Sequence, residues 1–268
     1  MKKAFTAWMW SLGVVARSFW TVVVVAALIA LWVFAAYEWL GLPESLALLL
    51  ILAFIWAVAQ LLAGIAIVAG TVSGAGDAAV AEGRSLPVGS LWTINRKRLL
   101  NTMIFCLVSL VLVWLFRAIF GWIEEHSVEV ASFLTFHSER AVSHVPIEEI
   151  YDVIEGLLWT VISGFLLSFL IALLQVGWRD AGKQKWKLLA GCAVGTPFLT
   201  TLLSVLVFGG IAYDLANWRP VVPPGFWDYT QMVTRFTVAL ILISAGVFFW
   251  LLSLARLQAP KRGSPQEG

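Results

Sequence analysis

The residues best suited to chemistry lie in the stretch TVSGAGDAAVAEGR, residues 71–84. Gly74-Ala75-Gly76-Asp77 spells the Gly-x-Gly-Asp pattern of a membrane-embedded catalytic carboxylate, and Tyr151-Asp152 and Tyr213-Asp214 offer it companions. Two carboxylates sharing one proton would cleave peptide bonds inside a bilayer, provided their oxygens meet within hydrogen-bond reach. Gly74 to Ala79 also fits the G-x-G-x-x-A dinucleotide fingerprint, which needs a strand before it, a helix after it and a ribose-binding acid about 20 residues on. A third cluster, residues 123–156, is acidic and holds His126, His137 and His144. A metal would need three or four convergent ligands. No H-E-x-x-H occurs, although a helix would stack His137 and His144 on one face. These histidines titrate near neutral pH, which would suit a pH sensor. Each reading depends on the elements that position the groups.

Of 268 residues, 60% are hydrophobic and only 13% charged, about half the charge of a soluble domain. The bilayer must therefore act as solvent. Six stretches reach the length of about 20 apolar residues that crosses it: 19–40, 46–72, 99–122, 157–178, 188–213 and 233–257. Period-two alternation is missing, which excludes a barrel. The fold class is all-α, a polytopic membrane protein with six transmembrane helices and cytoplasmic interfacial amphipathic helices. Residues 1–257 form one domain, and the polar tail at 258–268 is expected to be disordered.

Most Lys and Arg fall on alternate connecting segments, and carboxylates dominate the segments between them. Positive residues stay cytoplasmic, so both termini are expected inside a bacterial cytoplasmic membrane. Trp20, Trp92, Trp178 and Trp186 mark one interface; Trp39, Trp122, Trp218 and Trp227 mark the other. This orientation sets Asp77 about 30 Å of hydrocarbon away from both Tyr-Asp pairs, which removes the protease. The dinucleotide reading fails because a membrane helix precedes Gly74. Lys2-Lys3 and the apolar run after them imitate a signal peptide, but 19–40 exceeds an h-region of about 7–15 residues, so the first span is uncleaved. Before it, Phe5, Trp8, Met9, Leu12, Val15 and Phe19 form one apolar helical face suited to the headgroup plane. The first, third and fifth spans each follow a basic amphipathic lead-in, which describes three helical hairpins.

Residues 71–84 then read as an elbow. Ala66, Gly70 and Gly74 give a small-residue face for helix packing, and Gly76, Gly83 and Pro87 turn the backbone. Ser90 caps the next helix, with Leu91, Trp92 and Ile94 toward lipid. Arg96, Lys97 and Arg98 meet anionic headgroups, as do Lys183, Lys185 and Lys187 ahead of the fifth span. A nucleic-acid surface would need more cations on a water-facing fold, so none is expected. The stretch AEGRSLPVGSLWTINRKRLLNTMIF resembles the elbow before the third span in YciC-like bacterial membrane proteins. It is also similar to the membrane region of glycerophosphodiester phosphodiesterases. That resemblance implies a six-helix bundle and carries no catalytic residue, because the second family's activity belongs to a separate soluble domain.

The spans hold no histidine, which excludes paired-imidazole haem, and no cofactor or metal is expected. Cys106 and Cys192 read as small buried hydrophobes. Arg117 is the exceptional intramembrane charge, with Glu155, Glu124 or Asp152 as partner. Gln60 and Gln175 bond across helices. Gly191, Gly195, Thr196 and Pro197 would kink the fifth span, and with Gln175 they define a hinge or transport path. The function expected is that of a non-enzymatic accessory, scaffold or assembly subunit, homo-oligomeric or in a larger membrane complex and bound to anionic lipid. The alternative is a small permease or lipid transporter working through the kinked fifth helix.

Overall fold

The computed structural model describes residues 2–41, 47–83, 85–92, 94–138, 143–220 and 225–259. The tail from 260 onward, Arg84, Glu139 and Arg140 lie outside the described residues. Among those described every regular element is helical, and six helices are long and apolar enough to cross a membrane. The chain is an all-α, multi-pass membrane protein. Hydrocarbon offers the backbone no hydrogen bonds, so β-branched runs such as TVVVV take the one open-ended conformation that satisfies itself.

Helix α1 (Lys2–Arg17) breaks at Ser18 into the first span, α2 (Phe19–Leu40). The second span, α3 (Ala47–Ala81), is followed by an elbow with a 3-10 turn at Val88–Leu91, and α4 (Arg96–Glu125) crosses back. A short α5 (Ser127–Ser138) precedes α6 (Val145–Val176), and α7 (Trp178–Val194) folds back along the last turns of α6. The fifth span combines α8 (Thr196–Leu203), a π turn (Ser204–Gly209) and α9 (Gly210–Asn217), and α10 (Phe226–Gln258) is the sixth. The end where α3 passes to α4 and α6 to α7 is the basic end; the opposite end is acidic.

The core sits toward the basic end. Leu170 to Leu174 of α6 and Phe248 to Ala255 of α10 meet Val72, Ala75 and Ala79 of α3, Val22 and Val25 of α2, and Leu86 and Leu91 of the elbow. The most apolar window of α10 is 56% buried and that of α6 44%, against 6% for α3 and for α4. The bundle is therefore close-packed around α6 and α10, while α3 and α4 turn large side chains such as Phe54, Leu110 and Trp114 outward.

Helix α1 buries its small residues and leaves most of its apolar stripe exposed. Its buried face is Ala4, Ala7, Ser11 and Val14, packed on α10, while Phe5, Met9 and Leu12 are exposed. Without a hydrophobic drive between helices in lipid, small side chains that allow close approach win the contact. The large apolar face is left for the lipid.

Four local expectations are corrected. First, α3 runs unbroken through Gly74, Gly76 and Asp77 to Ala81, and the chain turns only at Glu82, with φ of 52°, and Gly83. Gly76 gives room for Gln175, whose Nε2 would lie 3.2 Å from a Cβ there. Second, the Gly70 and Gly74 face packs against the elbow and not against a helix. A Cβ on Gly70 would come 2.5 Å from the Leu91 carbonyl oxygen, and one on Gly74 would come 3.3 Å from Ser90 Oγ. Third, the cap of α4 is Asn95, whose Oδ1 accepts from the Lys97 N–H, whereas the Ser90 hydroxyl donates to Pro87 O inside the 3-10 turn. Fourth, the fifth span starts at Thr196. Gly195 is extended and ends α7, so Pro197 falls in the first turn of α8, where its missing N–H is no loss. It begins a helix and does not kink one.

Candidate functional site

The far end of α3 is gripped by three other helices. Arg98 of α4 forks onto Asp77, Nη1 to Oδ2 at 2.7 Å and Nη2 to Oδ1 at 3.0 Å, and Nη1 also donates to Ser73 Oγ. Arg256 of α10 reaches Glu82 Oε1 at 2.9 Å and the Ala79 carbonyl at 3.3 Å, while its guanidinium lies 5.5 Å from the Trp10 ring centre. Gln175 of α6 lies against the Gly76 carbonyl, 3.5 Å away. Both Asp77 oxygens are thus occupied by one guanidinium in a bidentate geometry. Asp214 lies on α9, about 27 Å along the fifth span from Thr196 at the basic end, out of hydrogen-bond reach of Asp77.

The elbow is fastened by hydroxyls. Buried Leu86 donates its N–H to Ser18 Oγ at 2.7 Å and accepts at its carbonyl from Thr21 Oγ1 at 2.6 Å. A residue outside every helix thus has both backbone groups paired at the start of α2. The polar residues Ser18 and Thr21 in an apolar lead-in were the only trace of this in the sequence. Two similar contacts secure α8. Thr200, wholly buried, accepts from Trp8 Nε1 at 2.9 Å and donates to Thr196 O. Thr201 accepts from Trp250 Nε1 at 2.9 Å and donates to Pro197 O.

Arg96, Lys97, Lys183, Lys185 and Lys187 are exposed at the basic end, and Arg98 is half-buried on Asp77. Lys183 donates to Asp180 at 2.8 Å and holds that carboxyl below its ordinary pKa. Lys185 lies 5.6 Å from the Trp186 ring centre.

At the acidic end Arg117 meets Glu155 at 2.7 Å, and Trp159 Nε1 donates to the same oxygen at 3.0 Å. Glu155 is 8% exposed, so the carboxylate is enclosed while its cation reaches outward. His137 lies on α5 and His144 caps α6, so the two never share a helical face. His126 Nδ1 sits 2.7 Å from Trp122 O, and His137 Nδ1 3.0 Å from Phe133 O. Among the described residues no three His, Cys, Asp or Glu converge as metal ligands. Cys192 Sγ is 3.7 Å from Ser168 Oγ, and both described cysteines are free thiols.

The chain matches no family model, curated protein or solved structure. The site must be read from its own side chains.

Apolar grooves flank α2. Three indoles zip it to α3: Trp32 donates to Gln60 O at 2.7 Å, Trp39 to Ala53 O at 2.8 Å and Trp56 to Ala35 O at 3.2 Å. On one side of this hairpin a groove of about 310 Å³ runs from Gln60 to Leu91 and Trp92 of the elbow. On the other, a groove of about 350 Å³ reaches Cys106 of α4 and Ser244 of α10. Gln60 Oε1 and Ser244 Oγ are buried without a partner. The residues marked as a transport path do not assemble around either groove. Gln175 is turned to Gly76, Thr200 is sealed, and Gly195, Thr196 and Pro197 form the joint between α7 and α8.

Proposed function

We propose that the chain is a non-enzymatic accessory, scaffold or assembly subunit of a membrane complex. Its basic end would face the cytoplasm of a bacterial inner membrane, where Arg96, Lys97, Lys183, Lys185 and Lys187 hold anionic headgroups. Each such cation is worth about 1 kcal/mol against that surface. The observation that carries this reading is the division of the molecule by depth. At the basic end Asp77, Glu82 and Leu86 are bound within the chain by Arg98, Arg256, Ser18 and Thr21, while α3 and α4 leave large apolar side chains such as Phe54, Leu110 and Trp114 exposed. Surfaces of that kind are free to pack against another membrane helix by dispersion and small-residue contact.

The test is isolation of the full chain from membranes in a mild, lipid-retaining detergent, followed by native mass measurement. A second membrane protein or a second copy in fixed ratio is the expected result. A lone monomer overturns the reading. The permease alternative predicts substrate uptake in proteoliposomes that Pro197→Ala alters, and the same preparation tests it.

A further inference from the structure

Four arginines report membrane depth. At a rise of about 1.5 Å per residue, Arg98 and Arg117 lie about 28 Å apart along α4, and Arg256 and Arg235 about 31 Å apart along α10. Both intervals equal one hydrocarbon thickness of about 30 Å. Arg98 and Arg256 therefore mark the headgroup plane at the basic end, and Arg117 and Arg235 the plane at the acidic end. Three of the four have a carboxylate: Arg98 has Asp77, Arg256 has Glu82 and Arg117 has Glu155. Arg235 has no partner among the described residues. Its Nε and Nη1 are sealed from solvent and find no acceptor. Arg235 is half-buried, and among the described residues nothing balances its charge.

One helical turn deeper on the same side of α10, Ala239 and Ile243 floor a groove of about 840 Å³. Val33 of α2 and Ala212 of α9 wall it, and Tyr37 and Tyr213 stand toward its acidic-end mouth. The volume falls within the range of about 300–1,000 Å³ typical of small-molecule sites. The lining is apolar along the hydrocarbon and the free cation sits at phosphate height. A peptide would meet no backbone partner there, and a soluble anion would gain nothing from the apolar floor. We propose that this groove holds an acyl chain of an anionic phospholipid from the acidic-end leaflet, with the lipid phosphodiester on the Arg235 guanidinium. A zwitterionic lipid carries its own amine beside the phosphate and so gains less from the arginine.

The full chain carrying Arg96→Gln, Lys97→Gln, Lys183→Gln, Lys185→Gln and Lys187→Gln, which removes the exposed headgroup cations at the basic end, is delipidated in mild detergent. It is titrated separately with dioleoyl phosphatidylglycerol and dioleoyl phosphatidylcholine, and bound lipid is counted by native mass spectrometry. Phosphatidylglycerol is expected to bind more tightly. Adding Arg235→Gln should weaken it about tenfold, the size of one charge-assisted hydrogen bond, and leave phosphatidylcholine unchanged. Because Arg235 has no partner among the described residues to abandon, this variant should melt no lower than its parent. Ala239→Phe, which fills the floor and spares the arginine, should also weaken phosphatidylglycerol. Glycerol phosphate, the headgroup without chains, should not displace the lipid at equal concentration. Undiminished binding by Arg235→Gln or by Ala239→Phe, or displacement by glycerol phosphate, would overturn the proposal.

Discussion

Alanine substitutions along one face of α3 separate backbone contacts from side-chain contacts. At Gly70 the new Cβ would stand 2.5 Å from the Leu91 carbonyl oxygen, whereas ordinary contact begins near 3.4 Å. The elbow must retreat by roughly 1 Å, and it cannot rotate away because the obstacle is main chain, pinned nearby through Leu86. Overpacking of this kind costs about 1–3 kcal/mol, offset by about 1 kcal/mol of helix propensity gained on replacing glycine. The net expectation for Gly70→Ala is a loss of about 0–2 kcal/mol. At Gly74 the nearest atom is the Ser90 hydroxyl at 3.3 Å, and at Gly76 it is the Gln175 amide at 3.2 Å. Both belong to side chains that can swing a few tenths of an ångström. Gly74→Ala and Gly76→Ala should therefore be neutral or stabilising by up to about 1 kcal/mol. Circular dichroism during SDS titration in mixed micelles measures the series. Tryptic cleavage after Arg96 and Lys97 should rise in Gly70→Ala alone. The reasoning fails if Gly70→Ala proves as stable as Gly74→Ala.

Further outcomes follow from other contacts. Ser18→Ala leaves the buried Leu86 N–H without an acceptor and should destabilise by about 1–3 kcal/mol, visible in the same titration; an unchanged midpoint would contradict the clip. Glu155→Gln removes the counter-charge of Arg117, whose side chain is 65% exposed, so screening limits the loss to about 1 kcal/mol. A double-mutant cycle with Arg117→Gln should return a coupling of that size. Pro197→Ala sits where no backbone bond is interrupted and should move the midpoint by less than about 1 kcal/mol, whereas a mid-helix proline would report about 3 kcal/mol.

The six spans were legible because bilayer thickness imposes one length on every apolar run, whatever its detailed sequence. Boundaries were harder. The second span was expected to stop at residue 72, yet α3 continues to Ala81 because Arg98 and Arg256 hold Asp77 and Glu82 beyond the apolar stretch. Residues 188–194 are apolar enough to count as span and yet belong to α7, since Gly195 breaks the helix and Pro197 restarts it. Hydropathy sees neither event. The packing face of α1 was not legible for a related reason: a hydrophobic stripe reports what avoids water, and in a membrane that includes the lipid-facing side. The π turn at Ser204–Gly209, where Phe208 presses on Gly246 and Ser204 donates to Gly246 O, has no periodic signature at all. The pairing of Arg117 with Glu155 depended on which of three nearby carboxylates faced inward. That Arg235 meets no carboxylate among the described residues was invisible in sequence, since it is a property of what surrounds the side chain.

The hydroxyl pair on Leu86 has a consequence for the order in which this protein is made. Ser18 and Thr21 leave the ribosome long before residue 86, so the start of α2 has no elbow to hold until the first hairpin has been made. Helix α1 waits longer still, because the surfaces it packs on belong to α8 and α10, the last elements to be synthesised. A chain arrested before α8 should carry α1 loose, open to a protease or a cysteine label that the finished molecule refuses.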